Sequence, residues 1–93
     1  MKNKISLKDL VKYFKLTSKA LEEVKKHIVK SKKKEADEII KMASAYLSDS
    51  RFFEKKGDFV NAFGAIYYAH GWIDCGVRLG VFDVKDNKLF TVK

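Results

Sequence analysis

The chain contains no proline, so no position in it forces a helix to break or kink. Along residues 10–28, apolar side chains recur at alternating steps of four and three, which places them on one face of a helix. Residues 36–53 and 59–77 show the same helical spacing. We therefore predict three helices, over about residues 6–30, 35–56 and 58–79.

The fold follows from the short links between these helices, which favour antiparallel packing of neighbours within one domain over residues 1–93. After the third helix, two short β-prone runs flank a polar turn at Asp86-Asn87, a pattern typical of a hairpin over residues 81–93. The predicted fold class is all-α: an antiparallel three-helix bundle with a short C-terminal β-hairpin-like extension.

Positive charge is concentrated in the first third of the chain. Residues 1–34 carry 12 lysines and three acidic residues, whereas residues 35–93 carry eight basic and nine acidic residues. Such a surface is either simply solvated or binds phosphates, which makes nucleic acid a candidate partner. The candidate contacts lie opposite the apolar face of the first helix and in the link that follows it: Lys8, Lys12, Lys15, Lys19, Lys26, Lys30, Lys32, Lys33 and Lys34.

The third helix carries a line of polar residues. His70, Asp74 and Arg78 recur every four residues, with Tyr67 beside them. They could form a small acid–base or ligand-binding cluster in which Asp74 fixes the imidazole. They could equally form a structural network in which Asp74 binds Arg78 or Arg51, and we favour that interpretation because structural ion pairs also involve histidines.

The sequence offers no set of residues for catalysis or metal binding. Cys75 lies about 140° around the helix from His70, so the two cannot pair locally, and Cys75 is expected to be a small buried side chain. The second histidine, His27, lies on another predicted helix. We therefore predict no enzyme activity, no catalytic residue, no cofactor and no metal.

The third helix is apolar on nearly all sides. Beyond its core face, a second strip of apolar residues comprises Tyr68, Trp72, Cys75 and Leu79, and we call it the apolar strip. We predict that the C-terminal tail packs back over Trp72 and Leu79 and that a second subunit covers the rest. Our leading hypothesis is a non-catalytic protein-interaction or self-association module with Tyr68, Trp72 and Leu79 at its interface. The alternative is a nucleic-acid-associated accessory protein.

Three stretches of the second half carry a family resemblance: Gly57–Phe63, Tyr68–Asp74 and Gly76–Gly80. They resemble a small archaeal family catalogued as domain of unknown function 357. The resemblance implies a three-helix bundle in a cytoplasmic archaeal protein and implies no activity.

Two further observations concern the cellular location of the protein and the growth temperature of its source. No apolar run reaches the ~18 residues of a membrane span, and the N-terminus lacks the apolar core of a signal peptide, so we expect a cytoplasmic protein. High lysine content with few amide side chains is typical of thermophiles, although an AT-rich genome would also favour lysine.

Overall fold

The computed structural model of the chain describes residues 5–85, and it is all-α, as predicted. Helix α1 spans Leu7–Lys25, α2 spans Lys33–Lys55 and α3 spans Phe59–Arg78. A single 3-10 turn, Lys30–Lys32, leads directly into α2. Within the described residues, extended pairing is limited to one isolated bridge.

Side chains cap the N-terminal ends of α1 and α3. The Ser6 hydroxyl accepts the N–H of Asp9 at 3.1 Å at the start of α1. Asp58 accepts the N–H of Asn61 at 3.2 Å at the start of α3. Between α2 and α3, Gly57 has a φ of +74°, the left-handed conformation that ends a helix and that glycine adopts without strain.

The three helices run up, down and up. The link at residues 56–58 makes α2 and α3 an antiparallel pair, which is the most extensive contact in the bundle. Helix α1 packs chiefly on α3, and the two run parallel. Tyr13 contacts Phe63, and one turn later in α1 and two turns later in α3, Thr17 hydrogen-bonds His70.

Small side chains bring the helices together. Fully buried alanines come from all three helices: Ala20, Ala36, Ala43, Ala62 and Ala69. Because alanine ends at Cβ, the backbones on either side approach closely, and larger residues such as Leu10 and Ile73 fill the remaining space.

Helix α1 ends earlier than predicted, at Lys25 instead of about Lys30. The chain leaves the helix because its next residues pair with the C-terminal tail. The N–H of Val29 donates to the carbonyl of Val81 at 3.0 Å, and the N–H of Asp83 donates to the carbonyl of His27 at 2.8 Å. These backbone groups would otherwise have continued the helix.

The predicted C-terminal hairpin is not supported. Phe82 of its first run forms an antiparallel bridge with Ile28, so this run pairs with the link after α1. The second run and the Asp86-Asn87 turn lie outside the described residues. Gly80, with a φ of +76°, reverses the chain after α3 and delivers Val81 and Phe82 to the core.

The ring of Phe82 lies directly on the backbone of Gly76. Phe82 is only 2% exposed. A Cβ added at Gly76 would lie 2.5 Å from Cε2 of Phe82 and 3.0 Å from Cδ1 of Ile39, closer than packed carbon atoms approach. Glycine is therefore required at position 76 for the tail to dock.

A matched pair of glycine substitutions tests this contact. We expect Gly76→Ala to lower the free energy of unfolding by about 1–3 kcal/mol, because the Phe82 ring has to move. Gly64→Ala, where the new Cβ meets no atom within 4 Å, should raise it by up to about 1 kcal/mol through helix propensity. Chemical denaturation measures both, and equal stability of the two variants would contradict the docking contact.

Candidate functional site

A pocket of about 270 Å³ opens between α1 and α3. It lies on the side of α3 where the parallel α1 crosses, and both helices supply its walls. Its lining residues are Tyr13, Leu16, Thr17, Phe63, Ile66, Tyr67, His70, Gly71 and Asp74. The pocket thus brings together three of the residues singled out in the sequence, Tyr67, His70 and Asp74.

One wall of the pocket is aromatic. The ring centroids of Tyr13 and Phe63 are 5.1 Å apart, in an edge-to-face arrangement, and those of Phe63 and Tyr67 are 4.8 Å apart. The ammonium of Lys12 lies 5.7 Å from the centroid of Tyr13. A cation from the protein itself therefore already rests against this aromatic cluster.

The other wall is polar and ordered. The hydroxyl of Thr17, a residue only 2% exposed, lies 2.9 Å from Nδ1 of His70. On the other side of the ring, Nε2 lies 3.8 Å from a carboxylate oxygen of Asp74. The two ring nitrogens of His70 thus face a hydroxyl from α1 and a carboxylate from α3. The ring is thereby fixed between two helices.

Thr17 was not among the residues predicted for this site. Nothing local distinguishes this threonine from its apolar neighbours. Its partner His70 is 53 residues away, and only the packing of α1 on α3 brings them together.

The two arginines of the predicted network lie apart from this pocket. Arg51 rests on the ring of Phe14, 4.9 Å from its centroid. The stacking of Tyr46 on Tyr68 sets the α2–α3 register, which places Arg51 about ten residues, or ~15 Å, along α3 from Asp74. Arg78 is exposed in the last turn of α3 and is not part of the pocket lining.

The apolar strip is largely bare. Tyr68 is 66% exposed and Leu79 68% exposed, Cys75 is exposed, and Trp72 is half-buried against the core. The described part of the tail does not pack over Leu79 as predicted, because Phe82 turns toward the link after α1, and the rest of the tail lies outside the described residues. The expectation of a buried Cys75 is also wrong.

The position of the strip on α3 explains its exposure. Tyr68, Trp72 and Cys75 each directly precede a buried residue, so the strip is rotated by about 100° from the core face. It therefore borders α2, and Tyr68 stacks on Tyr46 with ring centroids 5.3 Å apart.

The predicted lysine contacts are all exposed: Lys8, Lys12, Lys15, Lys19, Lys26, Lys30, Lys32, Lys33 and Lys34. Some already have partners within the chain. Lys26 lies 3.8 Å from a carboxylate oxygen of Glu23, and Lys33 pairs with Asp37 one turn further along α2.

Two kinds of feature are absent from the described part of the chain. Residues 5–85 contain no group of three or more His, Cys, Asp or Glu side chains placed to hold a metal ion. No helix in this part of the chain has the length and apolar character needed to cross a membrane.

Comparison with known proteins gives one match. The model of a family described as "Protein of unknown function (DUF357)" matches residues 12–82, which confirms the resemblance noted in the sequence. No curated protein matches the chain, and no solved structure does.

Removing the Thr17 hydroxyl tests the polar wall. Thr17→Val keeps the side-chain shape but leaves Nδ1 of His70 without its buried partner, so we expect a loss of about 1–2 kcal/mol in the free energy of unfolding. The ¹⁵N shift of Nδ1 in His70 should change as well. Thr17→Ser retains the hydroxyl and should preserve that shift; a wild-type shift in Thr17→Val would contradict the hydrogen bond.

Proposed function

The chain belongs to the DUF357 family, and we propose that it is a non-catalytic self-association module whose apolar strip binds the same strip of a second copy. The observation that carries the proposal is the exposure of Tyr68 and Leu79 beside the half-buried Trp72. Contiguous apolar side chains on a surface of this kind mark interfaces, and aromatic residues are enriched at their centres.

Charge favours a second copy as the occupant. The strip consists of two aromatic residues, a cysteine and a leucine, and carries no charged side chain. The whole chain has a formal charge of +8, so two copies repel wherever lysine-rich surfaces meet. Contact through the strip brings uncharged surfaces together and keeps the lysines of α1 on other faces.

Symmetry fits this arrangement. A two-fold axis through the strip would pair the surface with itself, as in most homodimers. The ring of Tyr68 from one copy would then approach Leu79 of the other, and Trp72 would approach Cys75. The stacking of Tyr68 on Tyr46 fixes this ring in advance and so reduces the entropy lost on association.

A pair of charge substitutions on α3 tests the proposed dimer. Leu79→Lys places a charge in the strip and should weaken dimerisation at least about tenfold. Val60→Lys adds the same charge to a similarly exposed residue (73%) in the first turn of α3, ~28 Å along the helix from Leu79, and should leave the dissociation constant within about twofold. Sedimentation equilibrium over a concentration series measures both.

The proposal fails if the wild-type protein stays monomeric throughout the series, which would point to a different protein partner. Equal weakening by Leu79→Lys and Val60→Lys would also contradict it, because the effect would then come from total charge and not from the strip.

Nucleic-acid binding is the second candidate function. Lys32, Lys33 and Lys34 lie exposed at the start of α2, where the helix dipole adds positive potential to their charges. Together with the exposed lysines of α1, they would contact backbone phosphates without reading sequence.

Salt dependence tests this second candidate. Binding of a generic duplex should weaken steeply with salt, and replacing Lys32, Lys33 and Lys34 by Ser should lower the slope by up to about 3. Because Lys33 already pairs with Asp37, its contribution to the salt slope should be the smallest of the three. Absence of binding at low salt would exclude this function, and an unchanged slope would place the contacts elsewhere.

A further inference from the structure

We infer that this protein binds single-stranded nucleic acid and stacks one base on the aromatic wall of the pocket, with Lys12 against the phosphate beside that base. The inference rests on the second candidate function, nucleic-acid binding, and adds the form of the nucleic acid and the position of one base. Proteins that bind single strands without reading sequence combine a row of positive charges with exposed aromatic rings. Both features lie on the same side of this bundle.

Tyr67 supplies the exposed ring. Its side chain is 61% exposed, although the residue lies in the middle of α3. The ring centroid of Phe63 lies 4.8 Å away and that of Tyr13 lies 6.5 Å away, so the ring of Tyr67 is held within a cluster. Its exposed part can stack with any base, because every base has a flat π-face.

The positive charges come from one flank of α1. At 100° per residue, four exposed lysines lie within about 60° of one another around this helix, in a row ~17 Å long: Lys8, Lys12, Lys15 and Lys19. Within residues 5–85 none of the four forms an ion pair, in contrast to Lys25, Lys26 and Lys33. The charges of this row are therefore available to phosphates.

Lys12 joins the row of charges to the aromatic wall. It is the member of the row nearest the pocket, about 40° around α1 from Leu16, which lines the pocket. Its ammonium lies 5.7 Å from the ring centroid of Tyr13, which belongs to the same cluster as Tyr67. A base and its phosphate are linked through one sugar, so a site for the base needs a positive charge close by. Lys12 provides that charge, and an ammonium with three donors can contact a phosphate while it stays near the ring.

The rest of the pocket admits a neutral base more readily than a phosphate. Asp74 is the one acidic residue among the nine that line the pocket, and its carboxylate would repel a phosphate placed inside. It faces His70 and lies two turns, or ~10 Å, along α3 from Tyr67. An uncharged base stacked on Tyr67 does not meet this repulsion. The phosphates should therefore follow α1, with the base directed toward α3.

A stacking site of this kind selects single strands. In a duplex each base is covered by its neighbours in the stack, and exposing one of its faces costs unstacking free energy. A single strand offers its bases to aromatic side chains without that cost. The lysine row alone would bind both forms, so the preference for single strands depends on the aromatic wall.

Two strands of the same length test the inference: a short oligothymidylate, and an abasic strand that carries the same sugars and phosphates without bases. Fluorescence anisotropy at low salt measures both dissociation constants. We expect the oligothymidylate to bind at least about fivefold more tightly, which is the gain from stacking one base. It should also shift the NMR signals of the ring protons of Tyr67 and Phe63, whereas the abasic strand should not.

The two ways in which this test can fail are distinguishable. Equal affinity for the two strands would overturn the stacking of a base and leave phosphate binding intact, and so would ring-proton shifts that are the same with both strands. Absence of binding to either strand at low salt would overturn the inference together with the second candidate function.

Three substitutions of exposed aromatic residues locate the base. Tyr67→Leu should bring the affinity for the oligothymidylate to within about twofold of that for the abasic strand, whereas Tyr67→Phe keeps the ring and should preserve the preference. Phe52→Leu removes another exposed ring (55%), which lies 4.6 Å from the ammonium of Lys56 and outside the pocket, and should bind as wild type does. A preference that persists in Tyr67→Leu, or that disappears in Phe52→Leu, would overturn the inference. The ring-proton shifts of the wild-type protein decide the question even if Tyr67→Leu fails to fold.

A pair of lysine substitutions tests the phosphate contact. Lys12→Gln should weaken binding of both strands and lower the salt slope by about 0.7, the value for one phosphate of a single strand. Lys41→Gln removes an exposed lysine of α2, outside the row, and should leave the slope unchanged. Equal slopes in Lys12→Gln and the wild-type protein would contradict the contact between Lys12 and the phosphate.

Discussion

The structure depends on the contact between the ring of Phe82 and the backbone of Gly76. With two backbone hydrogen bonds to the link after α1, this contact ties the end of the chain to the base of the bundle. It fixes where α1 stops, because the backbone groups of His27 and Val29 form hydrogen bonds with the tail instead of continuing the helix. It also directs Val81 and Phe82 toward the link after α1 and away from Leu79. The absence of a side chain at position 76 thus allows the path that the chain takes directly after α3.

Helix α3 has three different faces, each with its own surroundings. Its small residues pack against the core, the apolar strip borders α2, and the line of Tyr67, His70 and Asp74 faces α1. The antiparallel α2–α3 pair packs along its length, whereas the parallel α1–α3 pair leaves a pocket beside its aromatic cluster. The apolar strip and the pocket therefore lie on opposite flanks of one helix, and each can be altered without changing the other.

How much could be predicted from the sequence depends on the range of each interaction. The three helices were predicted correctly because the spacing that favours a helix acts within a few residues. The end of α1 and the hairpin were predicted incorrectly because the pairing of Ile28 with Phe82 joins distant segments. The candidate site was found in part: Tyr67, His70 and Asp74 share a helix, whereas Thr17 comes from another. Arg51 was included because charge suggested a partner, but the register of α2 on α3 places it several turns away.

The bridge between Ile28 and Phe82 also bears on how the protein folds. It closes a loop that contains all of α2 and α3, whereas the contacts between those two helices join residues close in sequence. Closing the shorter loop costs less chain entropy, so the α2–α3 hairpin is the natural nucleus, and α1 and the tail join it afterwards. In unfolding, α1 and the tail should separate from the bundle together. A fluctuation that frees Phe82 also breaks the backbone hydrogen bonds that the tail forms with Val29 and His27. The end of α1 and the residues that follow α3 are thus secured at one point, and the pocket between the two helices, a third of whose lining residues belong to α1, lasts only as long as that point holds.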